Sequence, residues 1–184
     1  MANDNKVRFG LKNVHYAVMN TSGYGTPVAI PGAVNLDLSA SGELTKFYAD
    51  NVAYYVSNGN QGYEGSLEIA AIPDAMLKDV FGYTEGSTSK VLTEDATVEP
   101  KAFALLYQID GDQDDEDYVL YNVAAGRPSI GSKTIEDNKE PVTQSFNISA
   151  VPRSDGKVFA KTTKDTPTAT KSTWFTTVFV ESAE

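Results

Sequence analysis

The chain has 184 residues, no cysteine, and 25 acidic against 15 basic side chains, a formal net charge of −10. That length builds one domain with a core of its own. The cysteine count excludes disulfides, a thiolate nucleophile and thiolate metal sites, and the acidity argues against a surface that grips nucleic acid, which needs Lys and Arg to displace counterions.

No apolar run approaches the ~20 residues needed to span a bilayer, and the polar start Met1 to Lys6 lacks the apolar core of a signal peptide. The expectation is a chain that folds in the cytosol, with no membrane partner. Met1 to Asn5 reads as a frayed start. Val7 to Met19 is strand-like, rich in Val and aromatics, with Gly10 as a bulge or close backbone approach. Asn20 to Pro31, punctuated by Gly and Pro, reads as a loop with one short strand. Gly32 to Ala40 alternates, Val34, Leu36 and Leu38 to one side and Asn35, Asp37 and Ser39 to the other.

Phe47 to Gly82 is the most informative stretch. Phe47 to Val56 is followed by a polar, glycine-rich tip, then by Gly62 to Ile72, and last by an amphipathic piece from Pro73 to Gly82. This predicts an extended β-hairpin whose return strand runs into a helix. On the return strand Leu67, Ile69 and Ala71 share one face, and Ser66, Glu68 and Ala70 the other. Pro73 suits a first helical turn, Asp74 favours the positive end of the dipole, and Gly82 sits where a left-handed cap ends the helix. Met76, Leu77, Val80 and Phe81 supply an apolar stripe that must pack on a sheet, because so short a helix is marginal alone.

Tyr83 to Pro100 is polar, with Val91-Leu92-Thr93 as a short strand. Ala102 to Ile109 is apolar on both faces and therefore predicted to be buried on both. Tyr118 to Ala125 is its antiparallel partner across the acidic loop Asp110 to Asp117. Arg127 to Pro141 is a long polar connection. Val142 to Val151 alternates, with Val142, Phe146, Ile148 and Ala150 inward and Gln144 the one polar residue on that side. Asp155-Gly156 marks a turn before a short strand from Lys157 to Thr163. Lys164 to Lys171 reads as mobile, and Ser172 to Val180 as a closing strand. Many strands, turn signals and one helix make the fold class mainly β: a β-sandwich or barrel with one short flanking α-helix.

The candidate chemistry is thin. The loop Asp110 to Asp117 places Asp115 and Tyr121 where a calcium loop of the EF-hand type needs Gly and a carboxylate, so a solvated hairpin tip fits it better. His15 is the only histidine and stands alone in a strand, with no G-x-S-x-G elbow in the chain to serve it. No carboxylate pair is singled out for glycosidase chemistry. Tyr48, Tyr54, Tyr55 and Tyr63 make the hairpin aromatic. They suit a stacking platform for sugars or single strands, an interface between subunits, or core packing; the absence of basic residues between Asp50 and Leu77 disfavours nucleic acid.

Several segments, in order, resemble bacteriophage major tail proteins, the tail-tube subunits of long-tailed phages. They are Phe9 to Ala17, Ile30 to Val34, Phe47 to Asn51, Gly62 to Glu68 and the Ile72-Pro73 helix entry. Phe103 to Tyr107, Val119 to Tyr121, Arg127-Pro128, and Trp174-Phe175 with Val178 continue the match over nearly the whole chain. The resemblance implies a single tail-tube domain over 1–184, with an extended hairpin at 41–63 and mobile N- and C-terminal arms. It further implies a structural, non-enzymatic virion protein made in the host cytoplasm, without cofactor or metal. Such subunits form hexameric rings that stack into a hollow tube and conduct DNA without binding it specifically. Their sheets join around the bore, and tape-measure, tail-terminator and initiator proteins are the other partners. On this reading Phe47, Tyr48, Asp50, Asn51, Tyr54, Tyr55 and Tyr63 lie at the ring interface. The acidic residues Asp37, Glu64 and Glu68 face the lumen, with Lys46 diluting their field. An inner-tube protein of a contractile injection or secretion system and a monomeric carbohydrate-binding β-sandwich are the competing expectations.

Overall fold

A computed structural model describes residues 4–134 and 140–181. The first three residues of the expected frayed start, part of the polar connection before Pro141 and the last three residues lie outside that set. The strands are β1 (Arg8–Asn20), β2 (Gly23–Tyr24), β3 (Val28–Ala29), β4 (Ala33–Ser41), β5 (Leu44–Ala49), β6 (Val52–Asn58) and β7 (Gly62–Ile69). Helix α1 (Asp74–Asp79) follows, then β8 (Thr84–Glu85), β9 (Leu92–Thr93), β10 (Phe103–Gly111), β11 (Glu116–Ala125), β12 (Gln144–Ala150) and β13 (Phe159–Lys161). A second helix, α2 (Thr168–Thr173), completes the elements.

The fold is mainly β. One antiparallel sheet runs β2-β1-β10-β11-β12-β7-β4, with β3 added to β1 and β13 to β11. The sheet curls until β4 returns to contact with β1 without pairing with it. The inward side chains of its long strands make one core that includes Tyr16, Leu67, Ile69, Phe103, Leu105 and Phe146. Helix α1 packs into this core through Met76 and Val80, both fully buried, and Phe81 meets Phe146 edge to face at 5.6 Å. A helix this short cannot hold itself; burying each such side chain supplies about 1.5–3 kcal/mol. Gly82 ends the turn with φ +73°, as the sequence predicts. Pro73 stands at the N-cap, one place outside the first turn expected of it.

Strands β10 and β11 are buried on both faces, as their composition requires. Beneath them lies the main core. Above them Ala17, Ala104, Leu106, Val119 and Tyr121 meet Trp174 and Val178 from the C-terminal segment. This corrects the expected closing strand: Thr168–Thr173 is helical, taking in the end of the run from Lys164 that the sequence reads as mobile, and 174–181 continues as turns and coil. Pro167 presets the helical entry, and Trp174 and Val178, four residues apart, land together on the sheet. Among the described residues the helices therefore number two, not one.

Alternation on β4 also departs from expectation. A bulge between Ala33 and Asn35 leaves Val34 53% exposed, while Ala33, Leu36 and Leu38 face the core. Strand β7 ends at Ile69, so Ala71 lies beyond the ladder and is exposed. Gln144, the polar intruder on the inward side of β12, accepts the Ile72 N–H through its Oε1 at 2.8 Å, which explains its place.

Candidate functional site: an exposed ribbon and an acidic sheet face

Strands β4 and β7 pair with each other and, past a bend, continue as β5 and β6, so Ala33 to Ile69 is one long hairpin. At the bend Gly42 (φ +149°) faces Gly59 backbone to backbone; a Cβ on Gly42 would overlap the Gly59 carbonyl oxygen. The Gly59 N–H donates to Glu43 O at 3.1 Å and the Gln61 N–H to Ser41 O at 2.9 Å, keeping the two halves joined. The turn of the ribbon is Asp50-Asn51, where both residues have positive φ (+51° and +63°) between the paired Ala49 and Val52. Two left-handed residues match the twist of a two-residue hairpin. The tip is therefore there, and the glycine-rich 57–61 stretch, where the sequence suggested it, forms the base.

Beyond the bend the ribbon is, among the described residues, a separate two-stranded sheet. Leu44, Phe47, Tyr48, Val52, Tyr54, Tyr55 and Val56 are all about half or more exposed, Tyr54 at 74%. Cross-strand pairing puts Phe47 opposite Tyr55 on one face and Lys46 opposite Val56 on the other. Of the seven expected interface residues, six sit on this ribbon. Tyr63 does not: it lies on β7, packs against the core and meets Phe159 edge to face at 5.7 Å.

The outer face of β4, β7 and β12 carries the three expected lumen carboxylates. Register brings Asn35, Glu68 and Ser145 into one row, Asp37, Ser66 and Asn147 into the next, and Ser39, Glu64 and Ser149 into a third. All nine are polar, and none is basic. Glu68 accepts the Thr143 hydroxyl. The sequence showed the polar alternation of β12 but not that its Ser145, Asn147 and Ser149 complete this face; only the β7–β12 register reveals that.

The acidic hairpin between β10 and β11 is held by protein groups. Lys12 Nζ lies 2.5 Å from Asp110 and 2.9 Å from Asp115, and those two hydrogen bonds, Asp110 first, raise its pKa. The Asn5 side chain accepts the N–H groups of Gln113 and Asp114 and donates to Asp114 O at 2.7 Å. The described residues contain no group of three or more metal-ligating side chains. His15 Nδ1 lies 2.9 Å from Asn13 O, and its ring packs on Phe175.

No protein-family model matches the chain, and no curated protein matches it in sequence. Three of the solved structures that match it are as follows. A chain of the anti-feeding prophage baseplate gives TM-score 0.49 at 9% identity, over 90% of this chain and 99% of that one. A chain of the anti-feeding prophage tube-terminating cap gives 0.44 at 10%, over 88% and 96%. A chain of the sheath–tube complex of an extracellular contractile injection system in its extended state gives 0.41 at 15%, over 82% and 88%. At these levels the likeness carries no argument, and the function is argued from the surfaces above.

Proposed function

We propose that this chain is the repeating, non-catalytic subunit of a phage-tail tube, assembled through its ribbon into hexameric rings that stack around a DNA-conducting bore. The observation that carries the reading is the ribbon. A lone two-stranded hairpin is marginal in water at best, and this one leaves seven large apolar side chains uncovered. Aromatic-rich surface of that kind fits an interface between protein copies. The free edge of β4, nine residues long with one charge, is the kind of margin that ring closure pairs.

The acidic face supplies the second half of the reading. Its Ser, Asn and carboxylate rows repel phosphate within a Debye length of roughly 8–10 Å and provide no base to hold it, as a bore that releases DNA requires. The subunit accordingly belongs in the virion, with tape-measure, terminator and initiator proteins as partners. An inner tube of a contractile injection system shares the same physical description.

Negative-stain microscopy of concentrated protein tests the proposal, together with a variant lacking 44–58. Rings or tubes from the full chain, and a monomer of unchanged melting temperature from the variant, are expected. A full chain that stays monomeric at every concentration and binds glycans through the ribbon tyrosines would overturn it.

A further inference from the structure

We infer that the ribbon of a second copy seats in the groove between β1 and β4, with the ring of Phe47 as its anchor; this rests on the self-assembly reading above. The groove, about 520 Å³, lies between two strands that contact but do not pair, with Phe9 (71% exposed) and Val34 at its lips and Leu36, Leu38, Tyr107 and Ile109 among its lining. Behind Leu38 and Tyr107 it adjoins a recess of about 130 Å³ whose other walls are Tyr63, Tyr118, Leu120 and Phe159. Helix α1 fills the core near Phe146; the recess lies toward the far ends of β10 and β11, at the stacked Tyr107–Tyr118 pair (5.1 Å). An apolar cavity of ~150 Å³ takes one benzene ring. This recess, somewhat smaller, is sized for the tip of one aromatic side chain.

Charge selects the occupant. Lys46 is the ribbon's one base and Asp37 the acid on the groove's β4 wall, and neither has an ion-pair partner among the described residues. Side chains alternate along a strand. Leu36 and Leu38 point to the core while Asp37 points out; on β5, Phe47 and Lys46 take opposite faces in the same way. A β5 strand laid along the free edge of β4 with Phe47 on the core side must therefore put Lys46 on the side of Asp37. One choice of face satisfies both the cavity and the charge. Buried aromatic anchors in such pockets dominate interface energetics. Of the three carboxylates on the outer face, Glu64 and Glu68 then remain unneutralised.

The chain has no cysteine, so an engineered pair reports directly. Asp37→Cys with Lys46→Cys is expected to give disulfide-linked multimers on oxidation, whereas Lys46→Cys with Asn147→Cys, two strands away from the edge, is not. Leu38→Trp, which fills the recess, is expected to lower the association constant at least tenfold with an unchanged far-UV spectrum. Assembly that proceeds without the first cross-link, or unimpeded by Leu38→Trp, would overturn this seat while leaving the tube reading intact. A wild-type chain that never self-associates would overturn both. Should Leu38→Trp fail to fold, the cross-link decides.

Discussion

Gly65 shows how single residues fix the sheet. It sits in β7 opposite Leu38, and a Cβ there would overlap the backbone carbonyl oxygen of Asp37. Backbone cannot move aside as a flexible side chain can, so Gly65→Ala is expected to cost about 1–3 kcal/mol, read as a lowered midpoint in denaturant melts. Glu116 sets the response to acid. Burial opposes its charge, but the Tyr118 hydroxyl (2.6 Å), Lys161 (3.6 Å) and Arg8 (3.0 Å) outweigh it and hold its pKa below the ordinary value. A depressed folded pKa gives stability that is present above the unfolded value near 4.5 and is lost as pH falls through the folded one. Asp117 has the opposite sign. Burial raises its pKa despite the bond from Gln108 Nε2 (2.6 Å), so its contribution falls as pH rises from the unfolded value through the raised one. Melts between pH 6 and 3 should therefore lose acid sensitivity in Glu116→Gln and gain it in Asp117→Asn.

Among the elements, the C-terminal segment diverges most from its sequence. Ser172 to Val180 has the β-branched and aromatic content of a strand, yet it folds as the end of a helix and a string of turns. Propensity lost to packing: β10 and β11 have a second apolar face to cover, and Trp174 covers it, donating its Nε1–H to Tyr118 O at 3.3 Å and stacking on Phe179. Trp174→Ala is expected to destabilise the chain by about 3–5 kcal/mol, measurable by chemical denaturation. Alternating strands were legible where one face meets the core, as on β7 and β12. The ribbon's tip was not, because Asp50-Asn51 supplies the turn without glycine while the glycines nearby serve the bend. Nor was the displacement of Val34, since a bulge leaves no mark in a pattern of residue types.

For the molecule as a whole, the sequence disclosed the class, mainly β, and the placement on one hairpin of six of the seven residues expected at an interface, a clustering that follows from their adjacency in the chain. It could not disclose the groove, which forms only because the two margins of a rolled sheet meet, nor the three-strand rows of the acidic face. If that face lines the bore, Glu64→Lys with Glu68→Lys should produce tubes that retain DNA, with an affinity that drops steeply as salt rises. Retention assays at two ionic strengths would show it; charge-reversed tubes that hold no DNA would place the face on the outside.

Gly42 and Gly59 meet with no side chain between them, so no packed core dictates the angle at which the projecting arm leaves the body. A chain built this way concentrates its compliance in one joint. If copies stack as proposed, curvature of the stack can be absorbed at those joints, copy by copy, while the walls of the passage keep their shape.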